Sequence, residues 1–329
     1  MAILVCGGAG YIGSHAVAEL LGRGEEVVVL DNMQKGHVAA LSEGAVIYDG
    51  DLRDEPLLDL VFTENNIEAV MHFAADSLVG ESVHEPLKYY DNNVGGAIAL
   101  LKAMNKHGVK NIVFSSTAAT YGEPKEIPIL ESAETNPTNP YGETKLAVEK
   151  MLKWCEQAYG IKHVVLRYFN VAGAHPNGII GEDHNPETHL IPIILEAALG
   201  KRDAISIFGD DYDTPDGTCI RDYIHVMDLV DAHILAIEKL RKTNNSGTYN
   251  LGNGNGFSVK EVIEVARTVT GKEIPAIVAP RREGDPARLV ASSEKAKKEL
   301  GWKPQYDSLE SMVESAWTWF QKHPEGYVQ

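Results

Sequence analysis

Residues 3–13 read Ile3-Leu4-Val5-Cys6-Gly7-Gly8-Ala9-Gly10-Tyr11-Ile12-Gly13, and this stretch decides the fold. A short apolar run passes directly into a glycine loop, and the loop opens a helix-length segment. Gly7, Gly10 and Gly13 have GxxGxxG spacing. Lacking Cβ atoms, they let the backbone turn tightly and approach a pyrophosphate, whose charge meets the N–H groups of a helix N-terminus. A glycine loop alone is weak evidence, because glycine turns are common. Here a strand precedes it and a helix follows. Asp31 ends the next apolar run, 21 residues after Gly10. A carboxylate there is placed to accept from an adenine-ribose 2′-hydroxyl and to repel a 2′-phosphate, which favours NAD over NADP. Nearby Lys35 weakens that preference, and a strand-end aspartate also serves simply to cap a turn.

Outward from this unit the same alternation repeats. Short apolar runs at 3–5, 27–30, 46–48, 69–73, 112–114 and 164–166 read as strands of a parallel sheet covered on both faces. Helix-length segments at 12–24, 93–108 and 141–159 lie between them. The pattern predicts an α/β fold with a doubly wound parallel sheet of right-handed βαβ units, the Rossmann arrangement. After Asn170 the alternation weakens into a stretch rich in proline and glycine. Helical patterns return at 191–199, 228–240, 259–270 and 309–322. The expected division is a dinucleotide-binding domain over 1–174, with about 221–250 returning to it. A smaller mixed α/β substrate domain is expected over 175–220 and 251–329.

The bulk properties narrow the function. In 329 residues the formal net charge is -17, which opposes non-specific nucleic-acid binding. A phosphate-bearing ligand must therefore meet locally placed donors. Hydrophobic content of 44% is ample for a core. Cys6, Cys155 and Cys219 are odd in number and widely spaced, so a reducing compartment is expected rather than a disulfide framework. Cys6 reads as a buried strand residue. No run approaches a membrane span, and Met1 to Val5 read as a strand rather than a signal peptide, so a cytoplasmic location and no membrane partner are expected.

The chemistry lies further along. The run 112–114 leads to Ser115-Ser116-Thr117, and Tyr141-Gly142-Glu143-Thr144-Lys145 follows 24 residues beyond Thr117. Tyr141 and Lys145, at i and i+4, share one helix face. A free phenol has a pKa near ~10 and is a poor base at neutral pH. A lysine ammonium and a cationic nicotinamide nearby would lower it, and the Thr117 hydroxyl would bridge Tyr141 to a substrate hydroxyl. Taken alone, YxxxK is more often a solvated surface pair. With the glycine loop upstream and a hydroxyl cluster between, the combination is specific.

On these motifs the chain resembles the extended short-chain dehydrogenase/reductase family, and within it the UDP-glucose 4-epimerases. The resemblance covers essentially the whole chain. It extends through Asp31-Asn32, His72-Phe73-Ala74-Ala75, Val79-Gly80-Glu81-Ser82, Tyr89-Tyr90-Asp91-Asn92-Asn93-Val94, Arg167-Tyr168-Phe169-Asn170, Asp216-Gly217-Thr218, Arg221 to Val226 and Arg281 to Asp285. It implies catalysis by Tyr141, Lys145 and Thr117. It implies a cofactor site of Gly7, Gly10, Tyr11, Ile12, Gly13, Asp31, Asn32, Asp51, Leu52, Phe73, Ala74, Ala75, Asn92, Ser115, Tyr141, Lys145 and Tyr168. The implied substrate site is Thr117, Tyr141, Asn170, His189, Leu190, Ser206, Phe208, Arg221, Tyr223, Arg282, Asp285 and Leu289. Arg221 and Arg282 would clamp a diphosphate, as bidentate guanidinium forks suit, while Phe208 and Asp285 would hold the uridine. Taken singly, either arginine would read as a surface salt bridge, and Asp51 as a helix N-cap. A homodimer is implied, packed through helices near 85–107 and 141–159.

The departures from the family pattern are instructive. Ser77 stands where many relatives carry lysine, His189 where asparagine is frequent, and Thr117 where serine is usual. Leu289 takes the place of a bulky tyrosine, which implies room for a 2-acetamido group unless Leu289 is only a packing residue. Thr117 is followed by Ala118-Ala119 rather than the Asp-Glu pair of 4,6-dehydratases, so elimination of water is disfavoured. The competing readings are another NAD-dependent nucleotide-sugar 4-position enzyme, an oxidoreductase or dehydratase, and a non-catalytic NAD-sensing protein. The latter would be free to lose Tyr141 or Lys145. There is no HExxH, no His/Cys cluster and no Walker-type loop, so neither metal nor ATP chemistry is expected.

Overall fold

Along Ala2–Cys6 alternate side chains enter different cores. Ile3 and Val5 join one buried cluster, and Ala2, Leu4 and Cys6 join another. That is the signature of a central parallel strand, whose continuous apolar run is read out with period two on two covered faces. Each fully buried Val, Leu or Ile contributes roughly 1.5–3 kcal/mol relative to exposure, so a strand of this kind is stable only between two helical layers.

The computed structural model describes residues 1–282 and 286–328. In chain order the strands are β1 (Ala2–Cys6), β2 (Glu26–Asp31), β3 (Val46–Asp49), β4 (Ile67–His72), β5 (Asn111–Thr117), β6 (Lys162–Tyr168), β7 (Asn170–Ala172), β8 (Ile205–Phe208), β9 (Ile220–Arg221), β10 (Tyr223–His225), β11 (Gly247–Leu251), β12 (Phe257–Ser258), β13 (Ala276–Ala279) and β14 (Arg288–Leu289). The helices are α1 (Tyr11–Gly22), α2 (Glu55–Glu64), α3 (Val79–His84), α4 (Pro86–Tyr89), α5 (Gly96–Lys106), α6 (Pro140–Tyr159), α7 (Leu190–Ala198), α8 (Val226–Thr243), α9 (Val259–Thr270), α10 (Glu294–Leu300) and α11 (Leu309–Lys322).

Seven strands form one parallel sheet in the order β11-β6-β5-β4-β1-β2-β3. The order reverses between β1 and β4, so a crevice opens at the carboxyl ends of these strands, where the glycine loop lies. One cluster packs α1, α8 and α10 against the sheet, and the opposite cluster packs α2, α5 and α6. A third core, built on α7, α9 and α11 with β8, serves the C-terminal region.

Several expectations shift in detail. The fourth strand ends at His72, leaving Phe73 in the following loop, where its amide donates to Cys6 O over 2.9 Å. β3 is not covered on both faces: it is the sheet edge, and Val46 and Ile47 are exposed. The helix expected from 93 begins as a π-helical turn, Tyr90–Gly95, and becomes α-helical only at Gly96. β11 was not read as a strand, because Gly247-Thr248-Tyr249-Asn250-Leu251 alternates and carries polar residues that a buried network uses. Among the described residues no helix is long and apolar enough to cross a membrane.

Candidate active site

The glycine loop is packed to its limit except at one point. A Cβ on Gly13 would sit 2.0 Å from Gly7 O, and one on Gly7 would sit 2.6 Å from Ala74 N. Both glycines are therefore required by the fold of the loop on itself and on the loop after β4. A Cβ on Gly10 would meet only Gly7 O, at 3.5 Å. Gly10 thus leaves free backbone at the N-terminus of α1, which fits a pyrophosphate. Asp31 ends β2 with Oδ2 accepting from Ala9 N and Oδ1 from Met33 N, each at 2.9 Å. The turn-capping reading of Asp31 is therefore real, and it also pins the carboxylate beside the loop. Each oxygen keeps a lone pair for a ribose hydroxyl.

Asn32 Nδ2 donates to Asp51 Oδ2 (3.2 Å), linking the ends of β2 and β3. Asp51 is chiefly held by Arg53, whose Nε and Nη2 donate over 2.8 and 2.7 Å and whose hydrogen bond keeps the carboxyl below its ordinary range. Leu52 rests on Gly96, where a Cβ would come within 3.3 Å of it. Ala74 N donates to Cys6 O (3.0 Å), and Phe73 packs on His233 at 4.7 Å between ring centres. Ala75 continues this half-buried loop. Ile12 packs on the core beside the loop. Asn92 donates to Asn93 Oδ1 (3.1 Å).

Asn93 was not singled out by the sequence reading. Its side chain donates to Asp76 O and Thr144 Oγ1 and accepts from Asp76 N, tying the loop after β4 to α6. Only its place next to Asn92 at the start of a helix hinted at this.

Tyr141 and Lys145, expected with Thr117 to be catalytic, are brought to it by α6. Asn139 caps that helix, accepting from Gly142 N at 2.9 Å, and Pro140 occupies its first turn. A Cβ on Gly142 would lie 2.6 Å from Ala119 O. Glycine there lets the first turn of α6 rest on the turn after β5 and brings Tyr141 to Thr117. The Thr117 hydroxyl hydrogen-bonds the Tyr141 phenol. Thr117 Oγ1 also accepts from Ala119 N over 3.2 Å. Lys145 is buried, 5% exposed, and its Nζ donates to Ser115 O at 2.8 Å.

The electrostatics correct one expectation. In the protein alone Lys145 does not lower the Tyr141 pKa. Burial raises it, with only the Thr117 hydrogen bond opposing. Burial also brings Lys145 down to about 7, against the pull of Glu149. Desolvation penalises both charged forms, and a lysine aimed at a carbonyl leaves the phenol uncompensated. Tyr168, at the end of β6, is likewise pushed up by burial and then by Tyr141.

Ser115, assigned to the cofactor by resemblance, lies at the end of β5 beside Lys145. It is buried, and its hydroxyl donates to His233 Nε2 (2.8 Å), because His233 Nδ1 is committed to Leu229 O. What Ser115 offers the site is its carbonyl, held against Lys145. Behind the site Ser116 donates to Glu149 (2.5 Å), Arg167 Nε donates to Glu149 (2.9 Å) and Arg167 Nη1 to Tyr121 Oη (2.9 Å). Tyr121 in turn donates to Asn250 of β11 (2.6 Å).

Apart from Thr117 and Tyr141, the residues assigned to substrate lie in and around the region served by the third core. Arg282 stacks on Phe208, its guanidinium 4.0 Å from the ring centre. Leu289 pairs in register with Arg221, and Arg221 Nη1 donates to Ile220 O (2.8 Å). Asn170 Nδ2 donates to Asp222 O (3.0 Å), joining β7 to the β9–β10 corner. Tyr223 is buried in the third core, and Ser206 is exposed on β8. Asp285 lies outside the described residues.

Tyr11 donates to Gly173 O over 2.5 Å, and its ring meets His184 edge-on at 6.3 Å. His184 belongs to a cluster with Glu182, Glu187 and His189 just before α7, and Leu190 opens that helix. His189 Nδ1 donates to Glu182 Oε1.

The fold and site together define a dinucleotide-dependent enzyme that carries Tyr141 and Lys145 one turn apart on α6. The family model for the NAD dependent epimerase/dehydratase family matches residues 3–252. The chain is 67% identical over 327 residues to a UDP-glucose 4-epimerase of Halalkalibacterium halodurans, covering 99% of this chain and 98% of that protein. A crystal structure of UDP-glucose 4-epimerase matches at 63% identity with TM-score 0.99, covering 100% of both chains. The Bifidobacterium longum UDP-glucose 4-epimerase in complex with NAD+ and UDP matches at 44% identity with TM-score 0.94, covering 99% of this chain and 100% of that one. This chain belongs to the NAD dependent epimerase/dehydratase family, and its cofactor is NAD.

Proposed function

We propose that the protein interconverts UDP-galactose and UDP-glucose, with NAD held through the cycle. The observation that carries this is the half-buried Tyr141 placed beside Thr117, which is followed by two alanines where a dehydratase needs acid and base. Full-length similarity to enzymes named UDP-glucose 4-epimerase supports it.

What NAD supplies when bound is reversible hydride capacity at the sugar C4. Gly7, Gly10, Gly13 and Asp31 would hold its adenosine diphosphate half, with Asn32, Asp51, Leu52, Phe73, Ala74 and Asn92 completing the site. Tyr141 takes the proton of the 4-hydroxyl through Thr117 and later returns it to the same oxygen, while inversion comes from the hydride's return to the other face of C4. Lys145 restores the phenolate once a cationic nicotinamide lies nearby, offsetting the burial that disfavours it. Arg221 and Arg282 grip the diphosphate and Phe208 meets the uracil, so the 4-keto sugar turns about a fixed tether. Residues 1–174 with about 221–250 serve the cofactor, and 175–220 with 251–329 serve the sugar nucleotide. The return of β11 to the edge of the main sheet and the separate third core support that division.

Two finer points belong to the same reading. Leu289, in place of a larger ring, leaves room for a 2-acetamido group. Turnover of UDP-N-acetylglucosamine at a rate comparable to UDP-glucose is expected, and no turnover of it would reject this assignment. A homodimer is supported by apolar side chains left outside the cores on α3, α4 and α6. Leu87 is 81% and Trp154 69% exposed. Light scattering should read twice the chain mass.

The primary test is to incubate the purified protein with UDP-galactose, with no NAD added, and follow the anomeric protons by NMR. Conversion to a mixture with UDP-glucose establishes both the reaction and a retained cofactor. No conversion even after NAD is supplied would point to a different 4-position chemistry.

A further inference from the structure

Just before α7, four side chains from eight consecutive residues converge on one point. Glu182, His184, Glu187 and His189 each present one nitrogen or oxygen, and these four atoms lie within 4.8 Å of one another. His184 Nδ1 is 3.1 Å from Glu182 Oε1, and His189 Nδ1 hydrogen-bonds the same oxygen. The fourth group, Glu187, has its Oε2 3.9 Å from His184 Nδ1, beyond hydrogen-bonding length. Its other oxygen accepts the backbone N–H groups of Thr188 and His189, at 2.7 and 2.8 Å. The carboxylate is therefore already oriented, with Oε2 facing the shared centre.

We propose that Glu182, His184, Glu187 and His189 form a binding site for a divalent cation of the zinc class. Two imidazole nitrogens with two carboxylate oxygens are a donor set suited to tetrahedral Zn²⁺ and poorly suited to Mg²⁺ or Ca²⁺, which prefer oxygen alone. Tetrahedral bonds of about 2.0–2.2 Å place neighbouring donors about 3.3–3.5 Å apart. The observed separations lie on both sides of that distance, so an ion would open the two histidine–Glu182 contacts and draw in the widest pair, which is up to 4.8 Å apart. Two carboxylates, both about 5% exposed or less, balance a doubly charged ion, whose binding releases the Nδ1 proton that His189 donates to Glu182. In a chain of net charge -17 cation capture is also favoured at long range.

The surroundings are built for it. Trp319 Nε1 donates to Glu182 O (3.1 Å), fixing the backbone of the first ligand from α11. A cavity of about 130 Å³ is lined by Glu182, His184 and Glu187 together with Lys201 and His323. The edge-on ring of Tyr11 from α1 closes the opposite side. The spacing E-x-H-x₂-E-x-H belongs to none of the familiar zinc motifs, which is why the sequence alone suggested no metal. The inference rests on the cluster itself and stands whatever sugar the enzyme uses.

The test uses untagged holoprotein with its NAD in place, stripped with EDTA and dialysed. Calorimetric titration with Zn²⁺ should show one ion per chain, undisturbed by millimolar Mg²⁺, and should alter Trp319 fluorescence. X-ray absorption should show a first shell of light N/O atoms only. Disturbing an outer-shell partner costs ~10–100-fold in metal affinity, so loss of a ligand in His184→Ala should weaken binding by at least about a hundredfold. Glu187→Gln keeps the oxygen that holds the two backbone amides, so its fold is preserved. It should still weaken binding by more than about tenfold. Zinc bound to wild type at well under one per chain, or bound equally by both variants, overturns the proposal.

Discussion

Tyr141 has a burden that its position alone does not relieve. Its phenol is raised by burial, and the one interaction opposing this is the hydrogen bond from Thr117. Lys145 is brought to about 7 by the same burial, so the positive charge of bound NAD would be needed to favour the phenolate. The base is thus assembled by what binds beside it. Removing the hydroxyl should cost the full acid–base contribution, ~10²–10⁴-fold. Tyr141→Phe is expected to lower turnover by that factor while leaving NAD retention and the melting temperature near wild type. Turnover within a few-fold of wild type would exclude Tyr141 as the base.

At the scale of the element, the first turn of α6 decides whether the site exists. Gly142 lets it seat on the Ala119 carbonyl, Asn139 caps it, and Asn93 bonds Thr144 from the π-helical turn. A methyl at Gly142 would lie 2.6 Å from Ala119 O, a backbone atom that cannot swing aside. The helix start must shift instead, carrying Tyr141 away from Thr117. A misplacement of ~1 Å can cost ~10²-fold in rate. Gly142→Ala is therefore expected to reduce kcat by about that factor, with the circular dichroism spectrum unchanged. An unaffected kcat would show that α6 has slack there. Deeper in the same helix, Glu149 is paired with Arg167, and both are buried. Such a pair contributes little net stability but leaves a costly orphan charge if either partner is removed.

Across the whole molecule the buried histidines set the response to acid. Burial holds His72 at about 3, His225 at about 3 and His233 at about 4 in the folded chain. In the unfolded chain a histidine titrates near ~6.5. Below that value the unfolded state binds protons that the folded state refuses, so stability present above pH ~6.5 is lost as pH falls toward ~4. Three such groups give a slope of at most about 4 kcal/mol per pH unit within that window. Urea midpoints should fall steeply between pH 6.5 and 4.5, and a flat profile would contradict neutral burial of these rings.

The sequence by itself determined the strand–glycine–helix opening, the Asp31 that closes it and the Tyr141–Lys145 spacing, because each depends on contacts within one short stretch. It also carried the family resemblance from end to end. It did not show that β11 completes the main sheet, since a strand of mixed polarity is recognised only by what its polar side chains bond: Asn250 accepts from Tyr121, which in turn accepts from Arg167. Nor did it show that Ser115 turns its hydroxyl to His233, or that burial outweighs Lys145 at the Tyr141 phenol. Desolvation depends on everything packed around a group, including residues far away in sequence. The same holds for Glu182, His184, Glu187 and His189: their spacing suggests nothing until the turn before α7 folds their donor atoms onto one point. Only the tertiary structure decides that, because convergence is a property of distances in space.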